Sequence, residues 1–205
     1  MEDVANILVR SIFIDNLFIA YFLGLCSYMA VSKSVKVAVG LGLTVTFTLG
    51  ISASVCHLLG QYLLGRGTLT WLSKDLEGID LTPLSLIFFW AVVILVVKVA
   101  EMLQERYLPA LHALLKKFVP LTAVSCAILG GTLFMQEQAL QTLPEVAALG
   151  FGSGLGWLLT VVSLAAIRER ITYSDIPKPL QGLGITFIVA GLMGIAFLFF
   201  IKIRL

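Results

Sequence analysis

The sequence predicts an all-α integral membrane protein of six transmembrane helices, built as two inverted three-helix repeats whose first and fourth helices are interrupted. Three observations carry that prediction. Of 205 residues, 59% are hydrophobic and 13% charged, with a mean hydropathy of +1.01; a soluble domain carries about 25% charged residues. The apolar residues gather into six runs, and a membrane helix needs about 20 of them in a row. Each half of the chain also opens on an apolar run that contains a cysteine among residues a plain lipid-spanning helix has no use for.

Taken in order, the runs are roughly 7–30, 37–64, 84–103, 118–136, 146–167 and 180–201. A helix satisfies its own backbone groups in lipid, which favours helical spans. A membrane barrel would alternate polar and apolar residues, and the stretch from Ala91 to Val97 shows no alternation. The first run holds Gly24 and Cys26 within Tyr21-Phe-Leu-Gly-Leu-Cys-Ser-Tyr-Met-Ala30. The fourth holds Phe118-Val-Pro-Leu-Thr-Ala-Val-Ser-Cys126-Ala-Ile-Leu-Gly-Gly131, with a proline that removes a backbone donor and paired glycines that loosen the helix.

The connections are short, and their charges orient the chain. The loops after the first, third and fifth runs carry eight basic residues: Lys33, Lys36, Arg106, Lys116, Lys117, Arg168, Arg170 and Lys178. The opposite side carries at most five: Arg10, Arg66, Lys74, Lys202 and Arg204. The positive-inside rule places the three basic loops in the cytoplasm and both termini on the outer face. The acidic start, Met1-Glu2-Asp3, followed by an apolar run of spanning length, argues against a cleavable signal peptide.

One membrane domain covers 1–205, with residues 1–103 as the first repeat and 118–205 as the second. Cys26 falls in the first run of one half and Cys126 in the first run of the other. The second run opens Val39-Gly-Leu-Gly42 and the fifth Leu149-Gly-Phe-Gly152. Three spans per half make the second half enter the membrane from the other face, which is the arithmetic of an inverted repeat with broken helices meeting near the midplane.

Cys26 and Cys126 are the foremost candidates for chemistry. Free cysteine is ordinarily a small buried hydrophobe, but a thiol at a broken helix is placed to hold a soft metal or a cluster. Two thiolates do not complete such a site, since a [2Fe–2S] cluster normally takes four cysteines. A second chain, identical or related, would have to supply the rest; a Cys26–Cys126 disulfide is the competing reading. Cys56 and His57 are adjacent, so they diverge by about 100° on a helix and are poorly placed to share one metal. His112 reads as a solvated side chain in a basic loop.

Asp15 and Asn16 lie inside the first apolar run, where an acidic group is costly and marks a functional site by default, here a cation path. The bland alternative is a hydrated pair at the outer interface. Lys98 and Glu101, three apart on one helix face, are predicted to pair with each other. Gly150-Phe-Gly-Ser-Gly-Leu-Gly156 supplies small residues for close helix contact; no strand precedes it, so a dinucleotide-binding reading is rejected.

Several segments together resemble one family. They are Phe22-Leu-Gly-Leu-Cys26 with Ala30-Val-Ser-Lys33, Pro120-Leu-Thr with Cys126-Ala-Ile-Leu-Gly-Gly131, Gly150-Phe-Gly-Ser-Gly154, Ile167-Arg-Glu-Arg170, Tyr173-Ser-Asp-Ile-Pro177 and Gly182-Leu-Gly-Ile-Thr-Phe-Ile188. The chain resembles, nearly end to end, the D-type and E-type membrane subunits of Na+-translocating NADH:quinone reductases and their homologues in Rnf electron-transport complexes. The last two segments look more like the E-type subunit of the sodium pump than its Rnf relative.

The resemblance implies a bacterial inner-membrane protein in a six-subunit complex, paired with a homologous D-type subunit of opposite orientation. Each partner would donate two cysteines, here Cys26 and Cys126, to one shared [2Fe–2S] centre. That centre would relay electrons from NADH, by way of FMN on other subunits, to quinone, with sodium moved out of the cell. Cys56 matches no family ligand. Ser125 stands where the family commonly has Asn, which bears on hydrogen bonding beside the ligand. An Rnf-type subunit, or a secondary ion transporter or channel of the same inverted fold, are the alternatives.

Overall fold

The computed structural model describes residues 2–17, 21–25, 27, 29, 34–63, 82–107, 109, 113, 125–137, 142–175, 177 and 180–201. Six α-helices fill these residues: α1 (Glu2–Phe13), α2 (Val35–Leu63), α3 (Thr82–Tyr107), α4 (Cys126–Glu137), α5 (Leu143–Ile171) and α6 (Leu183–Ile201). No strand occurs among the described residues. Three helices are long and apolar enough to cross a membrane, over Val35–Gly60, Ile87–Tyr107 and Leu143–Ile171; Val4–Phe13 and Leu183–Phe197 are shorter apolar stretches.

The long helices outrun their apolar cores. At 1.5 Å per residue, a helix the length of α2 or α5 spans about 44 Å against a hydrocarbon core of about 30 Å, so both end among polar groups. In α5, Thr142 precedes the first turn, Pro144 occupies it, Glu145 meets the positive end of the helix, and Arg168 and Arg170 meet the negative end. Thr172 closes it, its backbone N–H donating to Arg168 O at 3.2 Å.

Helix α5 is the axis of the packing, and its four alternate glycines explain why. Residues advance by about 100° along a helix, so Gly150 and Gly154 share one face while Gly152 and Gly156 share the opposite one. On the first face, Gly154 lies where a Cβ would stand 2.6 Å from Thr46 Cα, and Gly150 where it would stand 3.0 Å from Gly50 Cα. Gly42 in turn accepts Leu158. The partners run 42 with 158, 46 with 154 and 50 with 150, so α2 and α5 are antiparallel. On the second face, Gly152 lies against Leu8 O and Ser11, and Gly156 against Ile12 O and Asn16; here both numbers rise together, so α1 and α5 are parallel. Small residues that let backbones approach are the usual basis of helix association where lipid offers no hydrophobic drive.

Hydroxyls inside this packing turn back on their own helices. Thr44 donates to Gly40 O at 3.0 Å, Thr46 to Gly42 O at 2.8 Å and Thr48 to Thr44 O at 2.8 Å. The side-chain polarity is thereby satisfied without a lipid-facing group. Gln104 of α3 reaches across to α2, its Nε2 donating to Thr44 Oγ1 at 2.7 Å. Lys98 and Glu101 pair on α3 at 2.8 Å.

The first apolar run, expected to be one interrupted span, is broken among the described residues from Phe13 onward. Helix α1 stops at Phe13, where the N–H groups of both Ile14 and Asp15 converge on Arg10 O, at 2.8 and 3.0 Å. Phe22 then takes φ 53° and Gly24 φ 82°. Measured against α5, Leu8 lies beside Gly152, Asn16 beside Gly156 and Gly24 beside the Trp157 indole, and the Met29 carbonyl accepts from Arg168 Nη1 at 3.3 Å. Trp157 lies midway between Leu143 and Ile171, so the break sits at half the height of the bundle. Helix α4 starts at that same level and runs away from it, with Gly130 against Leu23 and Gly131 against Leu17 and Leu49.

Candidate functional site

The turn at Gly24 and the start of α4 meet at Cys126. It is the first residue of α4. The Gly24 backbone N–H donates to Cys126 Sγ at 3.1 Å across 102 residues of sequence. Directed N–H groups are among the means by which proteins tune sulfur-bound iron. Gly24 can aim its N–H there because glycine alone takes φ 82° without strain, and because no Cβ intervenes: one would lie 2.8 Å from Ala127 Cβ and 3.0 Å from Trp157 Nε1.

The residues beside the thiol are buried while the thiol is not. Ser27 is 1% exposed, Ser125 2%, Ala127 1% and Trp157 0%, whereas Cys126 is exposed on the surface of the chain. The Cys126 thiol is therefore exposed over a floor of fully buried residues. Cys56 shows the contrast: it is buried in the main apolar cluster of α2, α3 and α5.

Of the residues predicted for the site, Cys126 is placed as described, and Cys26 lies outside the described residues. The residues near Cys26 are in view: Gly24 touches the Cys126 sulfur, and Ser27 Oγ lies 3.4 Å from Ser125 Oγ. His112, Lys33 and Pro120 also lie outside the described residues. Asp15 accepts from Arg10 Nε at 2.9 Å. Asn16 is fully buried and donates from Nδ2 to Ile12 O at 3.1 Å, with Gly156 clearing the space for it. Both therefore finish the end of α1.

The donor set tests what the chain could hold. Among the described residues, no group of three or more His, Cys, Asp or Glu side chains is clustered for a metal ion. One exposed cysteine sulfur with an N–H aimed at it suits a ligand shared with other chains, and soft sulfur suits iron–sulfur chemistry above hard cations. Trp157, Ala127 and Ser27 were not legible as site residues, because nothing local in the sequence distinguishes them from ordinary core. Gly24 was signalled by standing in an apolar run two residues before a cysteine.

The described residues thus form a helical bundle, three of its helices long and apolar enough to cross a membrane, with one exposed cysteine where α4 begins. The sequence pattern of the family described as Rnf-Nqr subunit, membrane protein, matches residues 4–203, and the chain belongs to that family. It is 45% identical to the E subunit of the Na(+)-translocating NADH-quinone reductase of Nitrosomonas europaea, over the whole of both chains. Proteins of the same name from Maridesulfovibrio salexigens and Psychromonas ingrahamii are each 47% identical, again over the full length of both.

Proposed function

We propose that this chain is the E-type membrane subunit of a Na+-translocating NADH:quinone oxidoreductase. In this reading it relays electrons through an intramembrane [2Fe–2S] centre shared with a homologous D-type subunit, coupled to sodium export. The observation that carries the proposal is the Gly24 N–H at 3.1 Å from Cys126 Sγ. It brings Gly24, two residues before Cys26, against Cys126, so these two of the chain's three cysteines would serve one site. Cys26 and Cys126 are the proposed ligands; the other two would come from the partner. The cluster supplies one-electron transfer at this depth, and NADH, FMN and quinone act on other subunits of the six-subunit assembly.

The packing directions support six crossings in two inverted repeats. Because α2 and α5 are antiparallel, the chain between them crosses the bundle an even number of times. Helix α3 is one crossing, so the segment from 108 to 142 would be the other. The basic ends agree with the proposed orientation: Lys36 near the start of α2 and Arg168 and Arg170 at the end of α5 lie together, because antiparallel helices bring those ends side by side. That end would face the cytoplasm of a bacterial inner membrane, with both termini periplasmic. Cysteines engineered at Lys33 and Gln138 test this. In intact cells an impermeant thiol reagent should label position 138 and spare position 33; labelling at 33 from outside would reverse the orientation.

The cation path through Asp15 and Asn16 has less support, since Arg10 already balances the Asp15 carboxylate. A transporter or channel would move cations as an isolated chain without any electron donor, which the electron-relay reading does not expect.

The proposal is tested in the purified complex with Cys26→Ala and Cys126→Ala. Each variant should lose the iron of the shared site and lower NADH-driven quinone reduction at least about tenfold, the cost of removing a group essential to one step. Full iron and full quinone reduction in both variants would refute the assignment.

A further inference from the structure

Four buried polar groups beside Cys126 form a closed ring that the ligand assignment does not explain. Ser27 Oγ donates to Gly24 O at 3.0 Å. Ser27 Oγ and Ser125 Oγ lie 3.4 Å apart, and the Ala127 N–H donates to Ser125 Oγ at 3.4 Å. A hydroxyl carries one proton. Ser27 spends its proton on Gly24 O, so between the two hydroxyls Ser125 is the donor and Ser27 the acceptor. The donors therefore run in one direction, from Ala127 N–H to Ser125 O–H to Ser27 O–H to Gly24 C=O. The Gly24 N–H, donating at 3.1 Å to Cys126 Sγ, closes the ring. Both serines are at most 2% exposed, so water does not substitute for either hydroxyl, and an unmade bond there carries the full cost of burial.

We propose that Ser125 and Ser27 are positioning residues for the Cys126 thiolate: their paired hydroxyls clamp the start of α4 to the turn at Gly24 and keep the Gly24 N–H aimed at sulfur. Ser125 has two grips, as the side chain that receives the Ala127 N–H at the open end of α4 and as the donor to Ser27. Ser27 holds the carbonyl of the same residue whose N–H meets the sulfur. The ring spans 98 to 102 residues of sequence with no covalent link, and the two halves of the chain are joined at the site through it. The inference rests on the proposed iron–sulfur role of Cys126.

An N–H directed at sulfur favours the more negative, reduced state of a sulfur-bound centre, so loosening it lowers the midpoint potential. The test is a redox titration of the purified complex, followed by electron paramagnetic resonance, with Ser125→Ala, Ser125→Thr, Ser27→Ala and, as control, Cys126→Ala. Ser125→Ala and Ser27→Ala should keep iron but titrate at lower potential, with about a tenfold change in the ratio of oxidised to reduced centre, about 59 mV for one electron. Ser125→Thr, which keeps the hydroxyl, should return towards wild type. Iron loss in Ser125→Ala that Ser125→Thr repairs would also support the clamp. Wild-type potential and line shape in both alanine variants, or equal damage from Ser125→Ala and Ser125→Thr, would overturn it. Should the Cys126→Ala control keep iron and signal, the iron–sulfur reading itself fails and the clamp with it. If the control loses them while the serine variants titrate as wild type, the clamp alone fails.

Discussion

Gly24→Ala should be among the most damaging single-methyl changes in this chain, and Gly182→Ala should be mild. The two glycines share nearly the same backbone angle, φ 82° and 88°, so both substitutions carry the left-handed penalty of about 1–2 kcal/mol. They differ in room. A methyl on Gly182 meets nothing within 4 Å, whereas one on Gly24 meets Ala127 Cβ at 2.8 Å and Trp157 Nε1 at 3.0 Å. Trp157 is fully buried and Ala127 is fixed in the first turn of α4, so neither can swing aside. Overpacking a full core adds about 1–3 kcal/mol, giving about 2–5 kcal/mol in all. The strain falls on the N–H that meets Cys126, so stability and the iron signal should suffer together. Thermal denaturation of the purified complex, with iron measured alongside, checks it. Equal losses for Gly24→Ala and Gly182→Ala would show that the space around Gly24 does not matter.

Gly154→Ala should part α2 from α5. The added Cβ would lie 2.6 Å from Thr46 Cα, and a backbone atom cannot rotate away as a side chain can. Relief requires the two helices to separate or slide, which would also disturb the Gly42–Leu158 and Gly50–Gly150 contacts on either side. About 2–4 kcal/mol is the expected loss, the upper range for overpacking with a displaced backbone. Gly194→Ala is the comparison, because its Cβ meets nothing within 4 Å in this chain and alanine is the better helix former by about 1 kcal/mol. A drop in thermal stability for Gly154→Ala, with little change or a gain for Gly194→Ala, is the expected pattern. If Gly154→Ala melts with the wild type, the close α2–α5 approach is not what holds the bundle.

Much of the architecture was legible because lipid leaves so few choices. Apolar runs of spanning length predict α2, α3 and α5 to within a few residues, and the helices exceed the runs because charged turns such as Ile167-Arg-Glu-Arg170 cap them outside the core. Lys98 and Glu101 were readable as a pair, since three residues on one helix fix their separation. The glycine series from 150 to 156 was readable as a contact surface. That it forms two surfaces, one for α2 and one for α1, follows from helix geometry only once the partners are known.

An interruption of the first run was expected around Gly24 and Cys26; that α1 already stops at Phe13 was harder to see. Residues 7–30 have one continuous apolar character, and hydropathy cannot tell a straight span from a stepped one. Asp15 and Asn16 were read as a cation path or a hydrated pair; in the structure Asp15 pairs with Arg10 and Asn16 bonds back to Ile12 O at the end of α1. The site itself was half legible. Cysteines in equivalent irregular runs pointed to a shared centre, but the Ser27–Ser125 contact joins residues 98 apart and leaves no local trace. Ser125 stood out in the sequence only as a departure from the Asn that the family resemblance implies, and its proposed role depends on a hydroxyl that the other half of the chain presents.

The proposed electron relay and the serine clamp both turn on Cys126 being a ligand of a shared iron–sulfur centre. The most direct test is the paramagnetic resonance spectrum of the reduced complex carrying Cys126→Ser. Serine keeps the side chain's size and offers oxygen in place of sulfur, so a ligand change must appear in the spectrum of the iron it binds. The expected result is that the signal of the shared centre changes its g values or disappears with its iron. A spectrum and iron content identical to the wild type would contradict the assignment.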